Sequence, residues 1–490
     1  VTVVIAIPEV PVTTRTPGVF AQIDSTQAQQ GTAVKPYRAL ILGQRRSTGT
    51  VDALVAMRCT SHKQAQTFFG IDSQLALMAE AWFSVNRSTE MWMLALEDSG
   101  SGVPAVGSFT ITASGPQSGQ IYAYVAGRRY TVAVTTASTQ NALATSLASA
   151  INADASCPVS AGAASNVVNL TAKQVGTVGN DCDLRVNYGD GEQTAVGVTV
   201  GITNMQSGSG DVDVSTAWAV LKDVQYDVIV APFTDSTNLA SLEAELSSRW
   251  GAMRETEGVA IAGFNGNFSA TAALGASRNS KHSSILTTSR FPRPSYVVAS
   301  RAAGLVAFYG AADPARPFQT LELTGELPPA PADQFTQEER NLLLFDGIST
   351  LKVGAGGVVQ IERMIMTYQV NPAGAEDTAF LDMTTPLTLS QLRWSWRQRM
   401  LLRFPRHKRA ADGTRAGAGS AVVTPSMVRA ENVSLFREWE EQGWVQDAAS
   451  FIRLQAVELN PQDPTRLDVL LPPTLVSPLI IMAGNIQFRL

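Results

Sequence analysis

A chain of 490 residues with 45% apolar content, mean hydropathy of +0.04 and a net charge of −5 has room for about three domains and enough apolar side chains for a sizeable core. The mild negative charge excludes a globally basic nucleic-acid binder, and the lack of any run of about 18 uninterrupted apolar residues argues against stable membrane insertion. Three widely spaced cysteines, Cys59, Cys157 and Cys182, argue against a disulfide framework or a zinc site; reduced thiols in a cytoplasmic product are the simplest reading, with a Cys157–Cys182 pair left open by their place in one predicted module.

In chain order, Val1–Thr14 is apolar and β-branched, broken by Pro8 and Pro11. Proline cannot donate to a strand ladder and sits at edges or in extended arms. An N-terminal arm is therefore predicted over residues 1–20, with Val3, Ile5, Ile7, Val10 and Val12 as its strand-forming side chains. Val1–Pro8 lacks the positive region of a secretory signal. Arg15–Phe20 reads as a turn leading into a short strand through Ile23. A core begins over residues 21–100. Tyr37–Gly43 is a buried strand, Lys63–Phe69 and Gln74–Val85 have helical spacing, and Met91–Leu96 is the next strand. Strands alternating with helices predict an α/β unit.

At Asp98–Pro104 the composition shifts to Thr, Ser, Ala, Val and Gly, and it stays so to about Asp213. Phe109–Ala113, Gln120–Val125 and Arg128–Thr135 read as antiparallel strands. Thr139 is placed to cap a helix carrying Leu143, Leu147 and Ile151 at four-residue spacing. Val167–Ala172 and Leu184–Val186 read as returning strands. Glycine- and serine-rich stretches at both ends mark residues 101–213 as an inserted β-rich module, expected to behave as a separate cooperative unit that can be excised by joining Gly100 to Gly210.

The core resumes over residues 214–474. Strands are predicted at Asp227–Pro232 and Gly258–Phe264, and helices at Leu239–Trp250, Tyr296–Tyr309 and Gln337–Phe345. Ile348–Val353 and Val358–Val370 form a predicted hairpin around Gly354–Gly357. Leu389–Phe404 is a basic, aromatic helix followed by a loop over Pro405–Ala421. Thr424 and Pro425 open another helix that ends at Gly443. Ile452–Leu459, Arg466–Leu471 and Leu479–Leu490 are predicted to form a small three-stranded sheet. The last segment, residues 475–490, alternates Ile486, Phe488 and Leu490 against Asn485, Gln487 and Arg489, the period of a half-buried strand. With Leu479 and Ile481 it makes a C-terminal arm that pairs either within its own sheet or, reaching roughly 50 Å when extended, with a neighbouring chain.

Catalytic signatures are not found. His62, His282 and His407 are isolated in sequence, and there is neither HExxH nor a P-loop lysine motif. Gly208–Gly210 reads as linker and Gly354–Gly357 as a hairpin turn. Asp181, Asp183, Asp190 and Glu192 lack EF-hand spacing and read as an acidic turn. The densest positive run is Arg397, Arg399, Arg403, Arg406, Lys408 and Arg409, with Trp394 and Trp396 just before it. It suits a nucleic-acid contact, an acidic protein partner, or simply a solvated helix face.

Arg15–Phe20, Pro36–Gln44, Leu274–Ser280, Asp412–Arg415, Val422–Pro425, Asp468–Pro473 and Gly484–Leu490, taken in order, resemble the contractile-tail sheath proteins of Mu-like phages. The resemblance spans nearly the whole chain and is weakest in the inserted module. It implies a mixed α/β multidomain fold with extended N- and C-terminal β-arms. It also implies a non-enzymatic, cofactor-free protein that stacks as hexameric rings around a tail tube protein and contracts to drive the tube through a host envelope for genome ejection. Implied partners are other copies of the chain, the tube, the baseplate and a tail terminator, with no direct nucleic-acid contact; the implied location is the virion tail, assembled in the host cytoplasm. The same family fold serves bacteriocin tails and injection machines. An adhesin using Tyr122, Tyr124 and Tyr130 of the module as a glycan platform is a separate alternative.

Overall fold

The computed structural model describes residues 35–415, 417 and 419–489. The predicted arm over residues 1–20, with Val3, Ile5, Ile7, Val10 and Val12, and the strand through Ile23 lie outside the described residues, as does Leu490.

The core is one sheet of eight described strands. It opens with β1 (Arg38–Gln44), β2 (Ala56–Cys59), α1 (His62–Phe69), α2 (Gln74–Val85) and β3 (Glu90–Leu96). After the inserted module it continues through α4 (Ser215–Leu221), β11 (Val228–Val230), α5 (Ser236–Trp250), β12 (Val259–Phe264), α6 (Phe268–Ala276), β13 (Ser283–Thr287), α7 (Ser295–Ala312), α8 (Gln337–Phe345), β14 (Ile348–Val353) and β15 (Val359–Arg363). The strand order is β15-β14-β13-β12-β11-β1-β3-β2, parallel throughout except at the two edges, where β2 and β15 run antiparallel to their neighbours. Unbroken apolar runs such as Ala39–Leu42 and Val228–Val230 are fully buried, as parallel strands covered on both faces must be. The helix α7 is apolar nearly all round and buried over most of its length, the pattern of an interior helix. It lies along α2: Ser300 Oγ donates to the Met78 carbonyl at 2.7 Å and Asn86 Nδ2 to the Gly304 carbonyl at 2.9 Å. A side chain at Gly304 would meet Val85 at 2.8 Å, so glycine there permits the close approach.

The strand β13 escapes prediction because it reads Ser-Ser-Ile-Leu-Thr. Its serines enter a central strand because they are paired: Ser284 Oγ lies 2.9 Å from Ser349 Oγ, and Ser283 Oγ 3.1 Å from Thr367 Oγ1.

The inserted segment contains β4 (Pro104–Ala113), β5 (Gly119–Val125), β6 (Arg128–Val134), α3 (Gln140–Ala153), β7 (Val159–Ala164), β8 (Val167–Val175), a 3₁₀ turn at Thr177–Asp181, β9 (Leu184–Val186) and β10 (Val198–Gln206). Its two sheets, ordered β10-β4-β8-β7 and β6-β5-β9, enclose a hydrophobic cluster drawn only from residues between Ala105 and Met205. Thr139 caps α3 as expected, accepting from the Ala142 N–H at 3.3 Å, and Leu143, Leu147 and Ile151 point inward. The strand β7, too poor in β-branched residues to be recognised, lies at a sheet edge. There Asn152 of α3 mimics a partner strand, donating to the Ala161 carbonyl at 2.7 Å and accepting from its N–H at 2.9 Å. Cys157 and Cys182 do not pair; both are buried free thiols, like Cys59.

The C-terminal part holds α9 (Thr384–Arg403), β16 (Lys408–Arg409), β17 (Val422–Val423), α10 (Pro425–Glu441), β18 (Val445–Gln446), α11 (Ala448–Leu454), β19 (Ala456–Leu459), β20 (Leu467–Leu470) and β21 (Thr474–Leu475). It has its own small apolar clusters, centred on Leu435, Phe436, Trp439 and Phe451 and on Val423, Val428 and Val457. Thr424 occupies the N-cap of α10 but does not cap it, since its hydroxyl meets Ser426 Oγ at 3.0 Å. Asp412 supplies the acceptor instead, taking the Ser426 N–H at 2.9 Å. No helix among the described residues is long and apolar enough to cross a membrane.

Candidate assembly surfaces

The predicted three-stranded C-terminal sheet is not formed. Ile452 belongs to α11, β19 and β20 make a two-stranded hairpin, and β21 pairs with β18. From Val476 to Arg489 the chain joins no ladder. Near its root it is held by its own core: Gln319 Nε2 donates to the Leu479 carbonyl at 3.0 Å, and Pro478 and Ile480 line a narrow cleft with Phe318, Arg363 and Met364. Leu479, Ile481 and Met482 are already largely exposed, and Ile486 and Phe488 are 93% and 81% exposed. A strand needs a partner to satisfy its backbone. The alternation of Ile486 and Phe488 has no such partner among the described residues.

The basic run divides. Arg399 sits between α9 and α10, 3.0 Å from Glu431 and in contact with Glu438. Burial works against its charge, but the two glutamates outweigh that effect and hold the guanidinium more firmly protonated than usual. Arg403 shares Glu431 at 3.2 Å, Arg397 reaches Glu255 at 2.8 Å, and Arg409 donates to the Arg466 carbonyl at 2.8 Å. Only Arg406 and Lys408 of the six are without an ion pair or side-chain hydrogen bond among the described residues, and both are exposed. Trp396 donates to Asn432 Oδ1 at 3.1 Å and packs against the α10 cluster, so it braces the helices rather than offering a stacking face. Glu431 and Glu438 stand two turns apart on α10, on the side facing the α9 arginines. That spacing is the sequence signal of an acidic complement to the basic helix.

In open α/β sheets, ligands sit beyond the carboxyl ends of the strands where the strand order reverses. Here β1 leads outward to β3 on one side, while β11 to β14 follow on the other, so the reversal lies between β1 and β11. That end is filled by the module: Gln44, the last residue of β1, donates through Nε2 to the Val175 carbonyl at 3.0 Å and to Asp98 at 2.8 Å. Three of the four acidic residues of the module's predicted acidic turn are likewise engaged. Asp181 bonds Ser295, Asp183 bonds Arg185, and Glu192 accepts from Tyr124 Oη at 2.8 Å and pairs with Arg129 at 2.7 Å. Among the described residues no group of three or more His, Cys, Asp or Glu is placed to hold a metal ion. His282 is buried beside Trp250, ring centroids 5.0 Å apart, and burial lowers its pKa to about 4.

The tyrosines proposed for a glycan platform do not assemble one. Tyr124 and Tyr130 are buried, Tyr130 against Asp154, and Tyr122 lies under the Arg129 guanidinium.

Comparison with known proteins bears on the whole chain. The model of the phage tail sheath protein central domain matches residues 207–367, and that of the phage tail sheath C-terminal domain matches residues 375–489. The chain is 38% identical over 481 residues to a Mu-like prophage FluMu tail sheath protein of Haemophilus influenzae, covering 98% of this chain and 99% of that one. Among solved structures it is similar to a sheath tail protein from Listeria innocua, with TM-score 0.48, 11% identity and coverage of 92% and 94% of the two chains. It is also similar to a chain of the anti-feeding prophage baseplate in its contracted state, with TM-score 0.48, 12% identity and coverage of 98% and 100%. The chain belongs to the phage tail sheath family, structural components of the virion tail.

Proposed function

We propose that the chain polymerises as stacked hexameric rings around a tail tube and contracts to drive that tube through a host envelope, delivering a phage genome. The observation that carries this reading is the bare C-terminal arm. An alternating apolar segment ends the described chain, joins no sheet among the described residues, and exposes Ile486 and Phe488. Strand addition between subunits would cover that surface and supply main-chain hydrogen bonds along the assembly. Leu479, Ile481, Ile486, Phe488 and Leu490 are the proposed inter-subunit residues at this end, and Val3, Ile5, Ile7, Val10 and Val12 at the other.

The division at residues 21–100, 101–213 and 214–474 is proposed on the same footing, supported by the separate apolar cluster of the module. The proposed role is mechanical, without catalysis or cofactor, in a particle assembled in the host cytoplasm, with the tube, baseplate and tail terminator as partners. The basic run is the proposed tube contact. Arg406 and Lys408 are its available charges, and Arg397, Arg399, Arg403 and Arg409 tie the flanking segments to their neighbours. Weak exposed charges suit a grip that must later release, and repetition around each ring makes them collectively strong.

Electron microscopy of the purified full-length protein tests the reading. Rings or tubes are expected, and a chain lacking residues 476–490 should give only dispersed particles. Dispersed particles from the full-length chain at all concentrations would overturn it.

A further inference from the structure

One stretch of the module leaves its own hydrophobic cluster for the core. Val178, in the 3₁₀ turn after β8, is buried among the side chains of the eight-stranded sheet and its helices. Two polar groups flank it. Gln174 is buried, and its Oε1 accepts from the backbone N–H of Gln74, the first residue of α2, at 3.1 Å. The first N–H groups of a helix have no partner inside it. Ser73 takes the Ala76 N–H at 3.0 Å, and Gln174 takes the Gln74 N–H. On the other side, Asp181 accepts from the hydroxyl of Ser295, the first residue of α7. The N-cap position of α7 is Pro294, which makes no side-chain capping bond. Asp181 holds that end of the helix from the module through the Ser295 hydroxyl.

The helices held in this way are the two that lie side by side against the sheet. Further contacts hold the seam. Lys173 pairs with Asp72 at 2.9 Å, Arg128 approaches Glu80 at 3.6 Å, Arg185 donates to the Arg290 carbonyl at 2.9 Å, and Tyr188 Oη donates to the Pro328 carbonyl at 2.7 Å.

We propose that residues 174–181 form an intramolecular staple. By capping α2, bonding Ser295 at the start of α7 and burying Val178 between module and core, they make the inserted module and the sheet core open and close as one cooperative body. The module is then a structural part of the core's carboxyl edge, and it travels with the core in any rearrangement of the subunit. This holds whether or not the proposed assembly is correct.

Hydrogen exchange on the full-length chain tests it. In the wild type, amides at the starts of α2 and α7 should be protected as well as those in mid-helix, and module and core amides should share one slowest opening. In the double variant Gln174→Ala/Asp181→Ala the two halves should uncouple. Opening of the module should rise about five- to thirtyfold, the change that loss of one or two ordinary stabilising contacts produces, and thermal unfolding should split into two steps. Asp181→Asn, which keeps an acceptor oxygen, should retain one step. Independent opening of the module in the wild type, or unchanged exchange in the double variant, overturns the proposal. If the double variant does not accumulate, the wild-type exchange pattern decides alone.

Discussion

The inserted module and the C-terminal arm both read in sequence as appendages, yet the chain attaches them in opposite ways. The module is set off by glycine- and serine-rich stretches, but its seam is buried: Val178 lies in the core, Gln174 caps α2 and Asp181 bonds Ser295 at the start of α7. The arm carries more apolar residues per unit length, but it is fixed only near Leu479, and its far side chains stand in solvent. Composition shows where a chain changes character. It does not show which side of the change owes its stability to the other. What distinguishes the two regions is where their groups find partners: inside this subunit for the module and, in the proposed assembly, outside it for the arm.

Excising the module should have the most severe consequence. Joining Gly100 to Gly210 removes the Gln174 cap of α2, the Asp181 bond to Ser295 and the buried Val178, about 4 kcal/mol in all, a large share of ordinary domain stability. Loss of soluble protein or collapse of the melting temperature is expected, contrary to the excision expected from sequence; a soluble remnant melting like the parent would make the two regions alike after all. Ending the chain at Leu475 should do the reverse, leaving the melting temperature within about 2 °C because little is buried, while sedimentation loses the large polymers.

A similar contrast within the basic run should be smaller. Arg399→Ala leaves Glu431 to Arg403 alone and Glu438 without its partner and should cost about 1–2 kcal/mol by chemical denaturation. Arg406→Glu with Lys408→Glu should change stability by no more than about 0.5 kcal/mol, yet weaken coating of tubes in a salt-dependent way.

The smallest effect is a pH dependence at the module seam. Burial, aided by Asp211, raises the Asp181 carboxyl to about 6 against the pull of Ser295. The folded chain therefore holds this proton more tightly than the unfolded one, in which the group titrates near about 4. Its contribution is full below about pH 4 and is lost as pH rises through about 6. Melting temperature should accordingly gain a component on acidification from pH 7 to 5, and Asp181→Asn should flatten it.

Much of the fold was legible because local pattern and burial agree. The ranges of α2, α8, β9 and β14 follow from periodicity and turn residues alone. The strand β13 was not legible, because serines read as loop until their partners on other segments are known. The final segment joins no ladder among the described residues for the complementary reason: alternation states a capacity for pairing, and only a partner realises it. The staple left no sequence signal, since Gln174 and Asp181 act on helices about a hundred residues away.

The reciprocal bonds between Asn152 and the backbone of Ala161 have a consequence for self-sorting. A polymer built by strand exchange depends on each free segment choosing the right edge among every edge that a crowded solution offers. By occupying both hydrogen-bonding groups of one residue on β7, Asn152 removes a docking register from that outer strand and narrows the competition. Errors in growth would then depend partly on this one amide, in a region remote from the arm it protects.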